Sequence, residues 1–183
     1  MENTQLSTSV RVKDYKRLIE QGEYGRIADF INERFRERYL DSFENNKSKH
    51  GFAMMAIGCL MVESLHSFKK GWKRTGGKGG DAFEEFFRNS QFLTDFSGIG
   101  SDFYSSVRCG ILHQAETYNG WKILRKGPLV DEGKRTINAI KFLQSLSKEL
   151  THYTAVLKDS PAKSDVWKRA TKKLNHMCAN SIA

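Results

Sequence analysis

The run Phe52 to Val62, FAMMAIGCLMV, carries no charge and has no polar face. It is longer than an ordinary strand, and a helix that is apolar all round has to be enclosed by other elements. The rest of the chain must therefore supply helices to surround it. Only two prolines occur, Pro128 and Pro161, so no proline interrupts helix formation before residue 128.

Those surrounding helices are legible in the apolar spacing. Val12, Tyr15 and Ile19 recur at helical intervals and stop at Gly22. Ile27, Ile31 and Phe35 continue the period towards Phe43, with Arg34, Glu37, Arg38 and Asp41 on the opposite, exposed face. Asn45 to Lys49 reads as a polar turn. The central helix is expected from Phe52 to Trp72, interrupted in its buried pattern by Glu63.

Arg74 to Asp81, RTGGKGGD, is a glycine-rich connector without the Gly-Lys-Ser/Thr ending of a phosphate-binding loop. Asp81 with Glu84 fits a capping box for the helix that follows. Ser101 or Asp102 fits the cap of the next one. Asn-Gly and Gly-Pro punctuation after Thr117, with Trp121 and Ile123 alternating with charged residues, predicts a short two-stranded hairpin. Helical spacing resumes through Ile140, Leu143, Leu146, Leu150, Tyr153 and Leu157. A last helix after Pro161 carries Trp167, Leu174 and Met177 on one face and Lys168, Arg169, Lys172 and Lys173 on the rest. The expected fold is an all-α bundle, one domain over residues 1–183, with a small β-hairpin insertion and a frayed segment at residues 1–10.

The composition, 39% hydrophobic and 28% charged, is that of a globular protein rather than a disordered one. Cys59, Cys109 and Cys178 are odd in number and scattered, as expected of reduced thiols in a cytoplasmic protein. The uncharged stretch Gly51 to Val62 falls short of the roughly 20 residues that span a bilayer, so no membrane association is expected. The net charge of +9 makes a polyanion a reasonable partner. Lys168, Arg169, Lys172 and Lys173 are candidates for contacting an RNA backbone.

Phe103 to Thr117, FYSSVRCGILHQAET, places Arg108 and His113 in a helix-like run with four residues between them. An arginine is a permanent cation whose fork matches a phosphate, and a histidine exchanges protons near neutral pH. Together they can cut a phosphodiester without a metal or other cofactor. Positions five apart on an ideal helix point about 140° from each other. Convergence therefore needs the long arginine stem or a second copy across a two-fold axis. Glu63 is a candidate carboxylate for orienting Arg108 or His113. Cys109, one turn before His113, reads as a buried inert thiol in preference to a zinc ligand with His176 and Cys178. The phenylalanines Phe83, Phe86, Phe87, Phe92 and Phe96 are spaced as core or interface residues.

The string RCGILHQAET, behind a capped helix start and an apolar central helix broken by Glu63, resembles the Arg-x4-His signature of the HEPN superfamily. That resemblance implies a HEPN-like helical bundle and a metal-independent endoribonuclease acting as a homodimer. Its members serve in phage defence and toxin–antitoxin systems, where a regulatory partner protein is also found. Carried over, His113 is the general acid/base and Arg108 holds the scissile phosphate. The chain departs from the family at Cys109, where many active members have Asn, Asp or His, and at Ala115, where one toxin group has a tyrosine. A non-catalytic module of the same architecture, binding RNA or a protein, is the alternative. A basic DNA-binding protein is a weaker reading, since no short-turn recognition-helix pair is visible.

Overall fold

The computed structural model describes residues 2–44 and 47–180. The first two helices, α1 (Val12–Glu20) and α2 (Tyr24–Phe35), are joined through Gly22. The helical path of α2 then continues through a π-helical turn, Arg36–Leu40, and a 3-10 turn, Asp41–Phe43. Of the polar turn expected at Asn45 to Lys49, Asn45 and Asn46 lie outside the described residues.

The uncharged run forms the front of α3 (Gly51–Lys70), which ends where Gly71 turns left-handed at φ 65°. The element thus extends well beyond Val62. By length and composition alone it is apolar enough to cross a bilayer, a test that a buried core helix also passes, and more than half of its apolar window is buried in the fold. In the fold it is the central strut of the bundle. It packs against α7 (Ala139–Asp159) and α8 (Asp165–Asn180), while α7 also packs against α2.

Residues 2–10, where fraying was expected, pack onto the bundle. Leu6 is 2% exposed, the Thr8 and Ser9 N–H groups donate to Glu37 and Glu33, and Arg34 donates to the Leu6 carbonyl. Arg34 is therefore no solvated surface cation. Burial, helped by the charge of Arg38, lowers its pKa to about 10.

Between α3 and α7 the chain forms α4 (Gly79–Arg88) and the motif helix. The expected cap at Asp81 is corrected, because α4 begins two residues earlier and Asp81 lies in its first turn. Glu84 closes no capping box. Its carboxylate accepts from Gly98 N (2.9 Å) and Gly100 N (2.7 Å), pinning the following loop.

The hairpin expectation also needs correction. A three-stranded mixed sheet forms in the order β1-β3-β2, from β1 (Lys122–Leu124), β2 (Val130–Asp131) and β3 (Thr136–Asn138). β2 and β3 are the antiparallel pair, and β1 adds in parallel to the other edge of β3. Asn138 then caps α7, accepting from Ile140 N and Lys141 N at 3.1 Å.

One continuous apolar core runs from Leu6 to Cys178. Its centre is aromatic: Phe83, Phe87, Phe96, Phe103 and Phe142 are fully buried, with Phe103 stacked on both Phe83 and Phe142. The phenylalanines of α4 and Phe96 are thus core residues, and only Phe92 is half-exposed.

Two polar groups inside this core were unexpected. Glu149 on α7 is 1% exposed, ion-paired to Lys69 and hydrogen-bonded by Ser90 Oγ at 2.6 Å. His66 on α3 is 2% exposed, with Glu85, Lys69 and Lys70 facing it. Burial lowers its pKa from 6.5 to about 4; Lys70 and Lys69 add to the shift and Glu85 opposes it. Unfolded, the imidazole takes up a proton at a pH where the folded one does not. Stability should therefore fall as pH drops from about 6.5 to about 4, by at most about 3 kcal/mol. Urea midpoints measured across that window should show this decline, and His66→Phe should remove that part of it.

Candidate active site

The motif helix is built in three pieces: α5 (Gly100–Asp102), a π-helical stretch Phe103–Arg108, and α6 (Cys109–Gln114). It starts at Gly100, so neither Ser101 nor Asp102 caps it. Asp102 instead accepts from Ser106 Oγ (2.5 Å) and Trp121 Nε1 (3.0 Å), tying the helix to the segment that leads into β1. Asn119 Nδ2 joins this network through Ser106 Oγ, and Tyr118 N bonds the Ser106 carbonyl at 2.7 Å. Wide π turns within a helix recur at functional sites because they displace side chains from the regular stripe.

The return segment crosses the helix at Gly110, between the two motif residues. A Cβ there would stand 2.5 Å from the Glu116 carbonyl oxygen, so only glycine admits the crossing. Ala115, in left-handed conformation at φ 59°, ends the helix and starts that return.

Arg108 reaches across to α3. Its Nε donates to Glu63 Oε1 at 2.7 Å, with both side chains about one-fifth exposed. Its guanidinium lies over the Tyr104 ring, 5.3 Å from the centroid. Tyr104 is itself pressed against α4, where a Cβ at Gly79 would come 2.1 Å from its ring. Burial works against the Arg108 charge, but the bond and charge of Glu63 outweigh it and raise the pKa further. The result is an oriented cation: Nε is engaged by Glu63, and Cys109 is the other side chain that interacts with the guanidinium by hydrogen bonding.

His113 is in the last turn of α6, exposed, and no described residue hydrogen-bonds its ring. The structure thus brings Glu63 and Arg108 together, and no hydrogen bond among the described residues joins His113 to that pair. Cys109 is half-buried beside Arg108 and Tyr104, while Cys59 and Cys178 are buried free thiols. No cluster of three or more metal-ligating side chains occurs among the described residues.

Of the four candidate RNA contacts on α8, Lys168 is paired with Asp165 at 3.0 Å and Lys173 donates to the Lys73 carbonyl. Arg169 and Lys172 are exposed without an ion-pair partner among the described residues. Tyr104 is the site residue missed from sequence. Its signal was present, since it stands one turn before Arg108, where side chains on a helix meet.

Comparison with known protein families, with curated proteins and with solved structures gave no match in any of the three. The functional reading accordingly rests on the site.

Proposed function

We propose that this protein is a metal-independent endoribonuclease of the HEPN type, acting as a homodimer with a composite site. The observation that supports this reading is Arg108 itself: held at Nε by Glu63 and backed by Tyr104, it leaves its outer edge for a phosphate, on the same helix as an unpaired histidine. In this chemistry His113 takes the proton from a ribose 2′-hydroxyl, whose oxygen attacks the adjacent phosphorus. The 5′-oxygen leaves with a proton from the second copy's histidine, and a 2′,3′-cyclic phosphate remains. The Arg108 Nη groups hold the phosphoryl oxygens as negative charge builds on them.

Dimerisation is supported by an apolar face beside the site. Leu60, one turn before Glu63, is 38% exposed, and Leu112, adjoining His113, is 39% exposed. Phe52 and Leu124, which line one cavity, are exposed as well. A second copy packed on this face covers it and brings its own Arg108 and His113 to the first pair.

End-labelled RNA incubated with the protein in EDTA should be cut and should carry 2′,3′-cyclic phosphate ends. Leu60→Asp should shift sedimentation from dimer to monomer and abolish cutting. RNA that stays intact with a dimeric wild type would instead favour a module that binds without cleaving.

A further inference from the structure

A second polar site lies away from the motif helix and shares no residue with it. Two adjoining cavities of about 310 and 250 Å³ open between the end of α3 and the helices α4, α7 and α8. Lys69 and Arg169 line both. Lys70 and His66 line the larger cavity and Tyr153 the smaller.

Tyr153 Oη is buried without a hydrogen-bond partner, and His66 Nε2 has only a long, poorly aligned contact with Glu85. His66 is 2% exposed and Tyr153 3%. The nearest carboxylate oxygen to His66 Nε2, on Glu85, stands 3.4 Å away. An unmet buried polar group costs about 1–3 kcal/mol, so one in each of two cavities that share Lys69 and Arg169 asks for a ligand.

The charges around them say which kind. Lys69 is matched by Glu149 and Lys70 by Glu85, while Arg169 has no ion-pair partner among the described residues. The group therefore carries one positive charge in excess. Each ammonium has three N–H donors and gives one to its carboxylate, and the Arg169 fork adds its own. The surplus of donors exceeds what the two oxygens of a carboxylate accept and suits the three terminal oxygens of a phosphate.

We infer that this cleft binds a small phosphate monoester, its phosphate between Lys69 and Arg169 and its organic part towards His66 or Tyr153. A free monoester is favoured over an RNA backbone because Tyr153 Oη and His66 Nε2 lie beneath the surface. The cavity size is that of a small-molecule site. Arg169 is thereby a ligand-binding residue rather than one of a row of RNA contacts.

Isothermal titration of the full chain with phenyl phosphate, inorganic phosphate, benzoate and single-stranded RNA tests this. Phenyl phosphate should bind saturably and more tightly than benzoate, with inorganic phosphate competing. Arg169→Ala should weaken it at least tenfold and Tyr153→Phe several-fold, with unchanged thermal melts showing that both variants fold. Lys168→Ala, on the neighbouring exposed face, should leave it unaltered. His113→Ala should also bind normally, which separates this site from the cleavage reading. Absence of saturable binding, equal affinity in Arg169→Ala, benzoate binding as tightly as phenyl phosphate, or binding of RNA alone would overturn the inference.

Discussion

Arg108→Ala should lower the rate of RNA cleavage by about 10²–10³-fold, the loss typical of removing one oriented donor to a developing oxyanion. His113→Ala should cost about 10²–10⁴-fold, as removal of a general acid/base does. Neither change should unfold the chain, because His113 is exposed and Arg108 meets Glu63 at the edge of the bundle, where both side chains are about one-fifth exposed. Glu63→Gln is the informative third variant. It keeps an oxygen for Arg108 Nε but removes the charge, so a smaller loss of about tenfold, or 1.4 kcal/mol, is expected. Mixing Arg108→Ala with His113→Ala protomers provides a further readout. Partial recovery of activity in mixed dimers requires that the two residues act from different copies. Recovery would not occur if each copy carried a complete site.

The pairing of Glu63 with Arg108 was open to inference from sequence because a lone carboxylate in an apolar helix needs a partner. Arg108 and His113 are the two basic groups of the motif, and in the structure Arg108 is the one paired with Glu63. What could not be read was the path of the motif helix. Phe103 and Val107 keep an apolar spacing that fits a regular helix equally well, and nothing in FYSSVR signals a π turn. The caps failed for a related reason. Asp81 and Asp102 have the composition of N-caps, but Asp102 is drawn to Trp121 and Ser106, contacts that exist only in the folded chain.

The sheet shows the limit of period-2 reasoning. Alternation around Trp121 and Ile123 marks a strand without naming its neighbour, and the neighbour is β3, which follows β2 in the chain and pairs with β2 on its other edge. Glu149 is a different case, because its signal was there. It stands three residues after Leu146 and four before Tyr153, on the inward face of α7, and a carboxylate on that face implies a buried cation such as Lys69.

The largest loss of stability expected of a single substitution among these residues is at Phe103. Its ring is 0% exposed, stacks on Phe142 at 5.4 Å and Phe83 at 5.6 Å, and meets the edges of Phe87 and Phe96. Phe103→Ala removes the ring from the centre of this cluster and leaves a cavity that four rigid neighbours cannot fill. The expected cost is about 3–5 kcal/mol, a large share of the 5–15 kcal/mol that holds a typical domain folded. Phe92→Ala, half-exposed and in ring contact with His152 alone, should cost about 1 kcal/mol or less. Urea unfolding followed by circular dichroism measures both. The comparison bears on the site as well, because Phe103 opens the π stretch that ends at Arg108. Its ring anchors one end of the segment that aims the guanidinium, and Tyr104 beside it backs that group. Phe103→Ala should therefore lose cleavage below its own melting temperature, while Phe92→Ala retains it. Equal activity in the two variants under conditions where both are folded would show that the aromatic cluster stabilises the bundle without positioning Arg108.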